Sequence, residues 1–152
     1  YPPNEYSLFA PIADNKLRTK IFQEGKDKGY SFYTYVSPYC FDFTRDNIGE
    51  NCFIFEGNNL QPYTKIGNNC ILWSSNHLGH HSIIEDNVFI TSHVVVSGHC
   101  VIKQGSFIGV NCTLRDGITI GENSVVGMGS LVTKSIPDNE TWFGIPARQQ
   151  IK

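Results

Sequence analysis

From Ile48 to Val132 an aliphatic residue recurs at every sixth position without a break. The column runs Ile48, Ile54, Leu60, Ile66, Leu72, Leu78, Ile84, Ile90, Val96, Ile102, Ile108, Leu114, Ile120, Val126 and Val132, fifteen positions in phase. An amphipathic helix needs apolar residues three or four apart, and a half-buried strand alternates by two. Period six over this length satisfies neither. It fits a solenoid whose six-residue unit is a short strand plus a corner, a parallel β-helix. The fold class expected is therefore an all-β solenoid. A single rung cannot cover its aliphatic side chain. Stacked rungs bury a column of them, at about 1.5–3 kcal/mol gross for each, so stability builds from neighbour to neighbour.

The other phases agree. Three residues past the aliphatic stand Asn51, Gly57, Asn69, Asn87, Gly105, Asn111, Gly117, Asn123 and Gly129. Asn and Gly are the residues that accept positive φ, which a tight corner requires. Four residues past it come mostly small side chains, among them Cys52, Cys70, Ser82, Cys100, Ser106, Cys112 and Ser124. A small side chain fits a crowded inner corner that a large one would overpack. Cys40, Cys52, Cys70, Cys100 and Cys112 all lie on this phase. They read as small buried hydrophobes rather than as disulfides or metal ligands, which would cluster at short spacing. No metal site is expected. Buried free thiols fit a reducing compartment, hence the cytoplasm.

At 152 residues the chain is long enough for one domain with a core of its own. A net charge of −2 leaves no basic field for nucleic acid or anionic lipid. No run of apolar residues is long enough to span a bilayer, and no signal peptide opens the sequence. It begins at Tyr1 rather than Met, as a fragment or processed form would.

The column is preceded by sequence out of phase. Asn15 to Lys28 reads as a helix, with Asn15 as cap, Leu17, Ile21 and Phe22 on its apolar face and Gly29 as stop. Tyr6–Ile12 and Tyr30–Val36 read as strands, so a short βαβ-like piece leads the chain. Val36 to Asn47 reads as a weak lead-in coil, because Asp42 interrupts the aliphatic column. The expected division is 1–38 as a partial N-terminal α/β segment, 39–135 as the β-helix and 136–152 as a C-terminal tail that leaves through Pro137 and Pro146.

This hexapeptide pattern resembles the hexapeptide-repeat acyltransferases, whose fold is a left-handed parallel β-helix with three rungs per coil. The resemblance, not the period, implies the left hand, and fifteen rungs then make about five coils. The segment WFGIPAR (142–148) looks like the closing segment of that family. Within it, the bacterial nucleotide-sugar N- and O-acetyltransferases of surface-glycan and sialic acid pathways are similar over nearly the whole chain. NHLGHHSIIEDNVFITSHVVVSG (76–98) is similar to their catalytic rung. FIGVNCTLRDGITIG (107–121) and VVGMGSLVTKSIPD (125–138) resemble their coenzyme-binding coils. ADNKLRTKIFQEGKDKGYSFYTYVSP (13–38) resembles the end of their nucleotide-sugar-binding domain, whose first half precedes nothing here.

What the resemblance implies is acetyl transfer from acetyl-CoA to an amino or hydroxyl group of a sugar, the acceptor being nucleotide-linked. Such a transfer needs a base for the acceptor's proton and a donor for the developing oxyanion. Histidine suits the base role near neutral pH, and all five histidines fall between 77 and 99. His81, His93 and His99 occupy the corner phase, where a backbone reason suffices. His80 stands one residue earlier, on the outward side of a corner, and matches the family's catalytic histidine. His81 takes the place of the carboxylate that usually follows, leaving Glu85 or Asp86 as candidate orienting acids. His77, in Asn76-His77, resembles the base of the maltose and xenobiotic acetyltransferase branch and stands second. By the same resemblance Gly98 supplies the oxyanion N–H. Gly98, Val110 and Met128 grip coenzyme A through the backbone, Lys134 meets a phosphate, and Pro146 and Ala147 lie near the adenine. Ser92 and Ser97 read as packing, with direct attack and no acyl-enzyme. The family pattern further implies a homotrimer with active sites shared between chains, while charge and hydropathy lead to no nucleic acid and no membrane as partners. Two other readings remain: transfer to a free sugar, amino acid or xenobiotic, and a β-helix scaffold without catalysis.

Overall fold

The computed structural model describes residues 1–44 and 46–150. Successive rungs are two-residue strands, and each pairs in parallel with the rung eighteen residues on, as Ile83 with Val101 and Val95 with Thr113. Three rungs therefore close one coil, and the rungs stack into three flat faces. The first face runs from Tyr35–Val36 through Phe53–Ile54, Ile71–Leu72, Phe89–Ile90 and Phe107–Ile108 to Val125–Val126. The second runs from Phe41–Asp42 through Asn59–Leu60, His77–Leu78, Val95–Val96 and Thr113–Leu114 to Leu131–Val132. The third holds Lys65–Ile66, Ile83–Ile84, Val101–Ile102 and Thr119–Ile120, extended by bridges from Ile48 and Ile136. The result is a left-handed β-helix. The lead-in stretch completes a coil of its own, through Tyr35–Phe53, Phe41–Asn59 and Ile48–Ile66 pairings, so the coils number about six.

The aliphatic column is the core. From Ile54 to Val132 its members are at most 3% exposed, while Ile48 at the end is only half-buried. Every residue three past the column, from Asn51 to Gly129, has φ between 52° and 71°. Besides the Asn and Gly positions these include Tyr63, Ser75, His81, His93 and His99. Gly105, Gly117 and Gly129 hold this conformation without strain.

The small inner phase does more than save space. Cys52, Cys70, Cys100 and Cys112 each place Sγ 3.0–3.2 Å from a carbonyl of the following coil, those of Gly67, Glu85, Arg115 and Gly127. Ser82 and Ser106 donate from Oγ to Ser97 and Gly121 in the same way. Cys and Ser thus share this phase because each offers a short side chain with a donor. All five cysteines are free. Burial pushes the Cys100 and Cys112 thiols above their ordinary range, and burial with nearby Asp42 pushes Cys40 up to about 11.

The N-terminal residues build the expected βαβ unit, β1 (Ser7–Leu8), α1 (Asn15–Asp27) and β2 (Ser31–Phe32), with β1 and β2 parallel. Four details differ from the sequence reading, the first being that the strand expected over Tyr6–Ile12 is only Ser7–Leu8. The cap is Asp14, whose carboxylate accepts from the Leu17 N–H at 2.8 Å. Leu17 is exposed, and the buried helix positions are Arg18 and Gly25. Gly25 is required because a Cβ there would lie 2.5 Å from the Phe32 ring. The strand expected over 30–36 breaks in two, since Ser31–Phe32 pairs with β1 while Tyr35–Val36 starts the first face.

Arg18 fastens this unit to the solenoid. It is fully buried, and its guanidinium donates to the carbonyls of Ile12, Asn69 and Asn87 while lying over the Phe89 ring. The side chains of Asn51, Asn69 and Asn87 form a ladder of 2.7 Å hydrogen bonds below it. Aromatic residues on the outer side of the first face, Phe53 and Phe89 among them, pack under this unit.

Two measurements check this account. Asn111→Val is expected to lose roughly 1–2 kcal/mol in urea denaturation, because a β-branched residue resists positive φ, while Asn111→Gly stays near wild type. Cys52, Cys70, Cys100 and Cys112 are expected to react with a disulfide thiol reagent only after unfolding; fast labelling of the native protein would contradict the packed inner corner.

Candidate active site

Positions 63, 81 and 99 share one corner of the helix in successive coils, since eighteen residues make a coil. There the side chains stack outward. The Tyr63 and His81 rings lie 4.7 Å apart, and His81 and His99 lie 4.9 Å apart and nearly parallel. His80 stands at right angles to both imidazoles, with centroids 5.2 Å from His81 and 5.0 Å from His99. Its Nδ1 is 3.0 Å from His81 Nδ1, one of the two donating to the other. All three imidazoles are exposed.

Gly98 lies one coil beyond His80, and a Cβ there would come 2.9 Å from His80 Cε1 and Nε2. Only glycine leaves room for the ring in this seat. Among the described residues, nothing accepts from the Gly98 N–H. The same holds for the N–H groups of Val110 and Met128, which sit two residues past the column on the next corner. On the remaining corner the equivalent N–H groups of Glu50, Asn68, Gln104 and Glu122 are taken by side chains. Free amides thus face solvent at two corners of the coil and are mostly capped at the third.

Glu85 and Asp86 are spent in that capping. Asp86 accepts from the Asn68 N–H at 2.7 Å and Glu85 from the Gln104 N–H at 3.0 Å. Neither reaches His80, whose partner is His81. His77 lies half-buried on the second face between Asn59 and Val95 and does not join the imidazole group. His93 occupies its own exposed corner. The Lys134 ammonium lies 5.1 Å over the Trp142 ring. Pro146 is exposed, whereas Ala147 is buried in the closing hairpin of Thr141–Gly144 and Ala147–Gln149.

The meeting of His81 and His99 with His80 escapes a residue-by-residue reading, because corner geometry alone accounts for both. The signal is the interval: Tyr63, His81 and His99 are spaced by one coil. A cavity of about 620 Å³ lies elsewhere, between α1 and the first face, lined by Lys16, Thr19, Lys20, Phe107 and Val125. It contains no nucleophile–base pair.

Residues 63–98 and 99–134 match the family described as bacterial transferase hexapeptide (six repeats), in keeping with the six-residue period of the solenoid. Several solved structures share its fold. WeeI from Acinetobacter baumannii AYE is 25% identical, with a TM-score of 0.85 over 91% of this chain and 68% of its own. A mutant of perosamine N-acetyltransferase from Caulobacter crescentus, solved with CoA and GDP-perosamine, is 24% identical, with a TM-score of 0.93 over 96% of this chain and 70% of its own. The acetyltransferase domain of PglB from Neisseria gonorrhoeae FA1090 is 21% identical, with a TM-score of 0.95 over 99% of this chain and 73% of its own. Among curated protein sequences, none matches this chain.

Proposed function

We propose that this chain is an acetyl-CoA-dependent acetyltransferase that acylates the amino group of a nucleotide-linked sugar. The observation that carries the reading is the pairing of an outward imidazole, His80, with a free backbone N–H, that of Gly98, one coil away. Similarity of fold to the perosamine N-acetyltransferase mutant solved with CoA and GDP-perosamine, and to the acetyltransferase domain of PglB, also solved with acetyl coenzyme A, supports the choice of donor and acceptor.

The roles follow from the geometry. His81 Nδ1 accepts from His80 Nδ1–H, which fixes the His80 tautomer with its lone pair on Nε2. That nitrogen takes the proton from the attacking amine and returns it to the departing sulfur. The Gly98 N–H donates to the carbonyl oxygen as it gains charge. Bound acetyl-CoA supplies the thioester. Its carrier is held by the free N–H groups of Val110 and Met128, with Lys134 toward its phosphates and Pro146 and Ala147 toward its adenine end. Ala147 takes part through its backbone, since its side chain is buried.

The reading extends further. Residues 1–38 serve as the end of a nucleotide-sugar-binding segment, 39–135 as the acyltransferase solenoid and 136–152 as its tail. The assembly is a homotrimer with active sites between chains, working in the cytoplasm on precursors of lipopolysaccharide or another surface glycan. No helix among the described residues is long and apolar enough to cross a membrane.

A panel of amino- and hydroxy-sugar nucleotides incubated with acetyl-CoA, read by release of free thiol, tests the activity. His80→Ala is expected to lower turnover at least about a hundredfold while the thermal shift with acetyl-CoA persists; full activity in that variant would remove His80 as base. Gly98→Ala, whose new methyl meets the His80 ring at 2.9 Å, is expected to lose turnover with little change in melting temperature. His77→Ala is expected to stay within about twofold of wild type, as a residue outside the reacting group does.

A further inference from the structure

The imidazole corner has a second chemical capacity. Ring nitrogens of His80, His81 and His99 all lie within 4.8 Å of one another. In a tetrahedral zinc site each nitrogen stands about 2.0–2.1 Å from the ion, so ligand nitrogens stand roughly 3.3 Å apart. The difference is at most about 1.5 Å, a distance that rotation of the exposed His81 and His99 side chains can span. Their backbones are already fixed, both at the positive-φ corner and tied coil to coil by the His99 N–H bond to His80 O at 2.9 Å. Tyr63 stacks on His81 and backs it from the other side. The cluster faces solvent, so an ion has a path in and an open fourth position for water.

The donor set chooses the ion. Three imidazoles with no carboxylate among them suit zinc, copper or nickel and offer little to calcium or magnesium, which prefer oxygen. We propose that His80, His81 and His99 form a three-imidazole site for a divalent transition-metal ion of the zinc class, and that its occupancy shuts off the base. The second half rests on the role of His80 argued above; the first does not. Neutral imidazole has one lone pair and one N–H. An ion bound at either His80 nitrogen takes the lone pair and leaves the proton on the other, so no basic nitrogen remains on that ring.

The test uses the full chain without a polyhistidine tag. Zinc ion is titrated in competition with a chromophoric chelator, and cobalt ion is added separately for its visible absorption. One ion per chain is expected, with the intense visible bands of tetrahedral cobalt. His99→Asn keeps a residue that accepts positive φ and lies outside the transfer machinery. It is expected to weaken zinc binding at least tenfold and to leave turnover unchanged in chelator. His99→Gly is the second variant for the same measurement, and His93→Asn is expected to bind as wild type does. Zinc is expected to inhibit acetyl transfer in the wild type, with recovery on chelation. Equal zinc affinity in wild type and both His99 variants, or no binding above that of His80→Asn, overturns the site. Binding without inhibition upholds the site and overturns the base role of His80. Binding in a chain that acetylates no sugar nucleotide upholds the site and overturns the proposed activity.

Discussion

From Asn51 to Gly129 each corner of the solenoid turns on a residue held at positive φ, three places past an aliphatic of the column. That single backbone demand sets the phase of everything else. It points the aliphatic inward, sends the following short side chain under the next coil, and leaves the residue before the corner facing out with its N–H unpaired along two edges. It also restricts which residues can stand at the corner. Histidine is one of the few besides Asn, Asp and Gly that take this conformation readily. A corner built from histidine therefore satisfies the backbone and presents an imidazole at once. The site is assembled from positions the fold already had to constrain, and the rigidity of stacked coils is what holds four rings at 4.7–5.2 Å without a dedicated supporting shell.

The three faces are not equivalent, and the difference begins with their outer side chains. The first face carries Tyr35, Phe53, Ile71, Phe89 and Phe107 on its outer side, an apolar strip that water would meet if nothing covered it. The βαβ unit shares that strip with Arg18 buried at its base. A buried guanidinium is tolerated only when its donors find acceptors. Here it takes carbonyls of the loop before α1 and of two successive coils, so one side chain registers the N-terminal unit against the solenoid. Removing it would leave the Asn69 and Asn87 carbonyls short of a donor in a dry place, a larger loss than the missing contacts alone.

Most of the fold was legible because its determinants are periodic. The aliphatic column, the Asn and Gly corners and the small inner phase each repeat often enough to override single exceptions such as Tyr63 or Asp42. What escaped were the places where the period breaks. Ile136 takes the third-face position sixteen residues after Ile120, and Trp142 follows Val126 by sixteen, so the last coil is two residues short and no step of six finds it. At the other end the lead-in coil closes although its column positions hold Val36, Asp42 and Ile48, because backbone pairing with the coil above does not depend on an aliphatic there. Of the site, His80 was visible as an imidazole the corner did not explain. Its neighbours were not, since His81 and His99 had a sufficient backbone reason and their meeting appears only at an interval of eighteen.

An imidazole at His81, where the family resemblance implies a carboxylate, changes the physics of the proposed base beside it. A carboxylate would stabilise the imidazolium that His80 becomes during transfer, both by charge and by accepting its proton in a hydrogen bond. In the proposed mechanism His81 keeps the hydrogen bond and gives up the charge, so it fixes the tautomer without adding a counter-charge. The stacked His99 cannot restore that charge, because it too is neutral or cationic. Three ring nitrogens this close, with no carboxylate among them, are the ligand set of the proposed zinc-class site. The imidazole that stands beside the proposed base in place of a carboxylate is thus also a ligand of the proposed metal site.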